Sequence, residues 1–460
     1  MAADTSWASL PSIIIVEILS YLTLKDRLSA VSSCKRWRDC LWHPLLWPRI
    51  TFKLSRDGSS RSRSKHLAEN CGRFIREANI DFSSKTSWDV KECAQLLGIL
   101  AENRNLLKLS LKPSNCHIEW PERNTQNVLE TFHGSIENII KNSRRLKHVS
   151  FGCLEEIVSY SDYVLDLLAE YQSHSLQSLH IASIKEDPDS YSLCDLDYGH
   201  FQALANLKYL SIDYDYLTNE LLEAFMRDHH VGLEKLIVNV HGIQPTPTRN
   251  KISNRTWWRS VRYSPKLRVT LNLIHSIDGV HHLLDILQPS MPLAHLRMLF
   301  CSEINIPAID FIAQHNSSTF ETLHVIDGFV KGRANVYETN ADEDPFVMLA
   351  WKCPLLTKLT MIGYDFAEDD LVAIARLRGP KLSTFELAES CISTMIEQED
   401  SDVWVQVGQI SQQARDEISK SLGRNWRPLP DSMLHSAVKD SHADADTAYM
   451  KLLLKDQEFY

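Results

Sequence analysis

One spacing recurs down most of this 460-residue chain and leaves few folds open to it: an apolar residue, two others, an apolar residue, one other, an apolar residue. It occurs at Leu106/Leu109/Leu111, Leu146/Val149/Phe151, Leu176/Leu179/Ile181, Leu207/Leu210/Ile212 and Leu233/Leu236/Val238. It continues at Leu296/Leu299/Cys301, Phe320/Leu323/Val325, Leu356/Leu359/Met361 and Leu382/Phe385/Leu387. Leu267 through Leu273 keeps the alternation with its register slipped, which makes ten copies whose starts lie 24 to 40 residues apart. The last two apolar positions of each copy alternate along a short strand, so they face one side. The stretches between them carry helical spacing, as in Val128-Leu129, Phe132, Ile136 and Ile139-Ile140. A strand followed by a helix cannot bury its apolar side alone, but a stack of such units can. Each copy offers roughly three to six buried aliphatic residues at about 1.5–3 kcal/mol each, most of it offset by conformational entropy. The spacing predicts a solenoid whose strands line one wall. The residues between and just after the apolar positions, Ser110, Ser150, His180, Ser211, Ile237, Phe300, His324, Thr360 and Glu386, would then be free to read a partner. His180, Ser211, Phe300, His324, Thr360 and Glu386 are the candidate partner-binding residues of that face.

The N-terminal block breaks the pattern. Leu10-Pro11-Ser12-Ile13-Ile14-Ile15-Val16-Glu17-Ile18-Leu19-Ser20-Tyr21-Leu22 is followed by Cys34-Lys35-Arg36-Trp37-Arg38 and Leu46-Trp47. Pro11 suits the first position of a helix, where its missing N–H costs nothing. Ile14, Glu17, Ile18, Tyr21 and Leu22 follow helical spacing, and Ile13, Val16 and Leu19 fill a neighbouring stripe. The helix is apolar on more than one face, and a block of about 45 residues buries too little of its own surface to hide it all. The surplus predicts a partner.

Net charge is −10, which argues against nucleic acid, since phosphate binding needs a basic face. No apolar run approaches the ~18 residues of a membrane span, and Asp4 and Glu17 spoil a signal-peptide reading. Ten scattered cysteines without a C-x-x-C pair fit thiols in a reducing compartment, so a cytoplasmic or nuclear location is expected. There is no H-E-x-x-H, G-x-S-x-G, Walker loop or dinucleotide fingerprint, and the adjacent pairs His229-His230 and His281-His282 do not face one another on a helix. No enzyme activity, cofactor or metal is expected. Three insertions interrupt the repeat: the acidic Lys185–Asp197, the Pro/Thr stretch Gln244–Lys251, and Gly328–Pro345 with Asp342-Glu343-Asp344. At least one of them is expected to touch a partner, and the acidic ones would steer basic substrates.

Leu10-Pro11, Glu17-Ile18-Leu19, Tyr21-Leu22, Asp26, Cys34 through Arg38 and Leu46-Trp47 resemble the F-box in order and spacing, and the repeat resembles irregular leucine-rich repeats. Ile13-Ile14-Ile15 departs from the acidic or leucine residues common in that family. The chain is thus expected to be α/β: a three-helix F-box over 4–52, a linker over 53–69, a leucine-rich-repeat-like array with outer helices over 70–395, and a C-terminal cap and tail over 396–460. The resemblance implies a non-catalytic substrate receptor of a Skp–cullin–F-box ubiquitin ligase. Leu10, Pro11, Ile14, Ile18, Leu19, Leu22, Leu28 and Trp37 would contact a Skp-type adaptor or form the core beneath that contact. Cullin and RING protein would be reached through the adaptor. The alternative is a repeat scaffold that uses its F-box only for assembly.

Overall fold

A computed structural model of the chain describes residues 7–54, 58–158, 160–242, 251–329, 334–335, 344–397, 404–407, 409–439 and 445–458. Most of the Pro/Thr insertion, 244–250, and Asp342-Glu343 of the last acidic stretch lie outside the described residues. The chain divides into two compact units. One comprises Met1–Ser114, Ile118–Phe151 and Asp166–Leu176, the other Asn115–His117, Gly152–Leu165 and Gln177–Tyr460.

The first unit begins with three short helices, α1 (Ser12–Ser20), α2 (Leu24–Val31) and α3 (Lys35–Asp39), and a 3-10 turn at Pro44–Leu46. Pro11 is the residue before α1 rather than its first, and its carbonyl accepts the N–H groups of Ile14 (3.0 Å) and Ile15 (3.1 Å). The strands β1 (Arg49–Leu54), β2 (Glu77–Phe82), β3 (Lys108–Pro113) and β4 (His148–Ser150) then pair in parallel, in chain order. Two repeat copies precede the ten read from the sequence. Trp47/Ile50/Phe52 and Ile75/Ala78/Ile80 keep the same spacing and are buried. The array therefore starts on the last residues of the helical block. Of the linker expected over 53–69, residues 53–54 end β1 and 58–69 belong to a helix, Gly58–Cys71, while 55–57 lie outside the described residues. Its polar composition hid it: among its described side chains only Ala68 and Cys71 are fully buried, while Ser64 bonds to the N–H (3.0 Å) and C=O (2.9 Å) of Lys53.

In the second unit, β5 (Ser178–His180), β6 (Tyr209–Asp213), β7 (Lys235–Val240), β8 (Arg268–Ile274), β9 (Leu293–Leu299), β10 (Thr322–Ile326), β11 (Lys358–Ile362) and β12 (Thr384–Leu387) follow one another in parallel register. Connecting helices start at side-chain caps: Ser253 accepts from Thr256 N–H, Asn305 from Ala308, and Asp344 from Phe346 and Val347. The acidic insertion is tied down rather than loose. Lys185 is buried 3.4 Å from Asp213, and the Tyr191 hydroxyl donates to the Gly242 carbonyl at 2.7 Å. The last repeat is capped, as solenoid ends require. Helix Gln412–Leu422 leads to Trp426, whose indole N–H donates to the Phe385 carbonyl (2.8 Å) and whose ring stacks on Phe385. Leu429 N–H then donates to the Leu387 carbonyl at 2.8 Å.

Candidate functional site

The three-helix block is closed inside and greasy outside. Ile15, Val16, Leu19, Val31, Cys40, Leu41, Leu46 and Trp47 form its core. Arg27 ties the block together: Nε donates to Leu19 O (3.0 Å), Nη1 to Leu46 O (2.7 Å) and Nη2 to Leu22 O (3.3 Å), and the guanidinium lies 5.9 Å from the Trp47 ring centroid. Burial lowers its pKa. Thr23 caps α2, accepting from Asp26 N–H, and its hydroxyl donates to the Asp26 carboxylate at 2.7 Å. Trp47 Nε1 donates to Leu41 O at 2.6 Å. With the core complete, Ile13 remains 74%, Tyr21 81% and Leu45 66% exposed, and Ile14, Leu24 and Leu28 are also exposed. Ile13, Val16, Glu17, Arg36, Trp42 and Leu45 help line an open cleft of about 840 Å³. Single exposed apolar residues are ordinary, but Ile13 and Leu45 share the lining of this cleft, which makes it a candidate docking face.

Of the residues singled out for this face, Pro11, Ile14 and Leu28 are exposed, and Leu10, Ile18, Leu22 and Trp37 are half-buried. Leu19 has no exposure and belongs to the core. Tyr21, Leu24 and Leu45 are exposed as well, and none of them is among the residues singled out for this face.

The strand wall of the second unit differs from the open face expected. Its register sets Asp213, Asn239, Asn272, Arg297, His324, Thr360 and Glu386 opposite one another from β6 to β12. They are linked by hydrogen bonds: Asn272 to Asn239 (2.9 Å), Arg297 to Asn272 (3.3 Å) and Thr360 to Glu386 (3.2 Å). Two residues further along, Ile274, Leu299, Ile326 and Ile362 make an apolar row on the same face. Both rows receive segments from far along the chain. Helix Asp446–Asp456 buries Tyr449, Met450 and Leu453 against Cys116, Cys153, Ile184, Ile274 and Leu299. Leu434 and Val438 pack on Ile362, Ala388 and Cys391.

Polar contacts hold that helix at both ends. The Cys116 thiol and the Tyr449 hydroxyl each donate to Asp446 at 2.8 Å, and His275 Nε2 lies 2.8 Å from the same hydroxyl. Arg297 forms an ion pair with Asp456, and Lys235 donates to the Asp456 carbonyl at 2.9 Å. Burial raises the pKa of both carboxyls. Bonds from His275, Cys116 and Tyr449 outweigh it at Asp446, and Arg297 with Lys235 at Asp456, leaving both below the usual carboxylate range. Burial drives the Cys116 thiol up, and the Asp446 charge adds to it.

The candidate substrate residues therefore sit on a wall that is partly covered. His180, Ser211 and Thr360 are buried, which corrects their reading as residues free for a partner. Phe300 is half-buried, with its ring 6.0 Å from that of Tyr449. His324 and Glu386 are half-buried within the polar row. The sequence-based choice also mixed registers: His180 and Ser211 stand in the neighbouring row with Thr270, so Asp213, Asn239, Asn272 and Arg297 were missed.

This wall makes the second unit acid-sensitive. Burial pushes His241, His295 and His324 down to about 4; Arg297 adds to the shift at His295 and His324, while Asp213 opposes it at His241. An imidazole with a depressed folded pKa leaves the unfolded chain holding more protons. Stability is thus full above pH 6.5 and falls toward pH 4, by about 1.4 kcal/mol per pH unit for each histidine. Asp446 and Asp456 add a loss below about pH 4, as their salt bridges and hydrogen bonds are protonated away. Urea denaturation at pH 7.5, 6 and 5 checks this, and a flat profile would contradict it.

Among the described residues no group of His, Cys, Asp and Glu could hold a metal ion, and no helix is long and apolar enough to cross a membrane. Residues 7–53 match the F-box-like family, so the N-terminal block is an F-box-like domain, followed by a leucine-rich-repeat-type solenoid. The chain is similar over nearly its whole length to F-box only protein 33 of Homo sapiens, at 27% identity across 92% of this chain and 83% of that protein. It is also similar to F-box/LRR-repeat protein 21 of Mus musculus, at 22% identity across 92% and 89%.

Proposed function

We propose that the chain is the substrate-recognition subunit of a Skp–cullin–F-box ubiquitin ligase, acting in the cytoplasm or nucleus. The observation that carries this reading is the F-box surface: a domain with a finished core that still presents Ile13, Ile14, Leu24, Leu28 and Leu45 to solvent. The names of the relatives support the same reading. In it, Leu10, Pro11, Ile14, Ile18, Leu22, Leu28 and Trp37 hold the Skp-type adaptor, and cullin and RING protein follow through that adaptor. The repeat units hold a protein substrate, and the chain itself performs no chemistry. Its contribution is proximity: a substrate lysine held beside the charged ubiquitin carrier reacts as if at high concentration.

Affinity capture read by mass spectrometry tests this. The parent chain is expected to recover adaptor, cullin and RING protein together. Leu10→Ala with Pro11→Ala should lower adaptor recovery by ~30-fold, the equivalent of about 2 kcal/mol at an anchor position. Undiminished recovery would refute the docking face. Adaptor captured without cullin and RING protein would favour a scaffold that borrows the F-box for assembly.

A further inference from the structure

A cleft of about 770 Å³ in the first unit is lined by Arg76, Arg104, Arg144 and Arg145 over Phe74 and Leu45, and by no carboxylate. The repeat puts the arginines there. Each lies in a turn that enters a strand, Arg76 before β2, Arg104 before β3, and Arg144 and Arg145 before β4. Backbone bonds stack these turns: Arg76 N–H donates to Pro48 O (2.9 Å), Leu107 N–H to Arg76 O (2.7 Å) and Arg144 N–H to Arg104 O (3.2 Å). Buried amides set the turns rigidly. Asn103 Nδ2 donates to the carbonyls of Gly72 (2.7 Å) and Ile75 (2.8 Å), and Gln172 Nε2 to those of Ile140 (2.7 Å) and Ser143 (2.6 Å).

All four guanidinium groups are exposed, and among the described residues none makes an ion pair or a side-chain hydrogen bond. The nearby acids are already engaged, Glu77 with Arg49 and Glu102 with Arg73. In a chain of net charge −10, four like charges gathered without counter-charge around a partly apolar floor cost free energy that a bound anion returns. Guanidinium forks suit carboxylates in pairs, and the ring of Phe74 with Leu45 suits an apolar residue between them.

We propose that this cleft binds an extended acidic segment of a partner protein, its carboxylates on the arginines and an apolar side chain over Phe74 and Leu45. The site shares Leu45 with the F-box-like domain, but its arginines belong to the repeat turns, and it does not depend on ligase activity.

Fluorescence anisotropy on the full chain tests it. The probe is a fluorescein-labelled decapeptide of Glu and Asp around one Phe, and the control is the same peptide with Gln and Asn. The acidic peptide should bind, weaken as salt rises from 50 to 300 mM, and lose at least ~10-fold in affinity in the variant Arg104→Gln, Arg144→Gln, Arg145→Gln. The exposed substitutions should leave the melting temperature and adaptor capture unchanged, which separates this site from the F-box reading. Absence of binding, equal binding of the neutral peptide, equal binding by the variant, or tighter binding of a twenty-residue oligothymidylate would each overturn the proposal.

Discussion

Replacing Asp456 with alanine is expected to lower the stability of the second unit by about 3–5 kcal/mol, because it leaves Arg297 buried without its counter-charge and Lys235 without its carboxylate. Arg297 exposes only 7% of its side chain, so water cannot replace the lost carboxylate. The cost lies in the orphaned cation more than in the ion pair. Pairing Asp456→Ala with Arg297→Met should therefore recover most of the stability, since an apolar residue of similar volume meets the same wall without a charge to strand. A double-mutant cycle by urea denaturation at pH 7.5 measures this. A loss below 1 kcal/mol in the single variant would show that the helix Asp446–Asp456 does not depend on its polar anchors.

The second large effect is expected at Arg27. Alanine there removes three charged hydrogen bonds, to the carbonyls of Leu19, Leu22 and Leu46, together with the contact on Trp47. Those carbonyls belong to the end of α1, the turn after it and the 3-10 turn, so one side chain fixes how these segments meet. With the side chain only partly buried, the loss should be about 2–4 kcal/mol, large for a domain of this size. Limited proteolysis should cut Arg27→Ala within residues 7–54 while the repeat strands stay protected, and adaptor capture should fall with it. Arg27→Lys should not rescue, because an ammonium cannot span three carbonyls from one plane. Protection equal to the parent would show that the apolar core alone orders the block.

The apolar spacing made the repeat legible, because a strand buried on one face must place its apolar residues at fixed intervals. It missed the first two copies for a chemical reason. Ala78 is too small to stand out, and Trp47 also closes the F-box-like block. The Ser/Arg run after β1 resembles a linker because composition reports solvent exposure, and Ser62, Arg63, Lys65, His66, Glu69 and Asn70 of this helix are exposed. The covering of the strand wall is also written in the sequence. Leu273-Ile274, Met298-Leu299, Val325-Ile326, Met361-Ile362 and Leu387-Ala388 each place two apolar residues in succession at a strand end. In a strand, successive residues face opposite sides. A repeated doublet therefore demands cover on both faces, and the second cover is Tyr449, Met450, Leu453, Leu434 and Val438. Which distant segment supplies it cannot be read from local spacing. The four-arginine cleft escaped for the same reason, since its members are far apart in sequence and meet only through the register of β1 to β4.

That late cover has a consequence for synthesis. The apolar row Ile274, Leu299, Ile326 and Ile362 leaves the ribosome before the residues that seal it, and Leu453 follows Ile362 by 91 positions. At about 5–20 residues per second, the row waits roughly 5–20 s with one side open to other chains. A nascent chain of this architecture is a client for holding chaperones during that interval, and its yield in cells should follow elongation rate as well as stability.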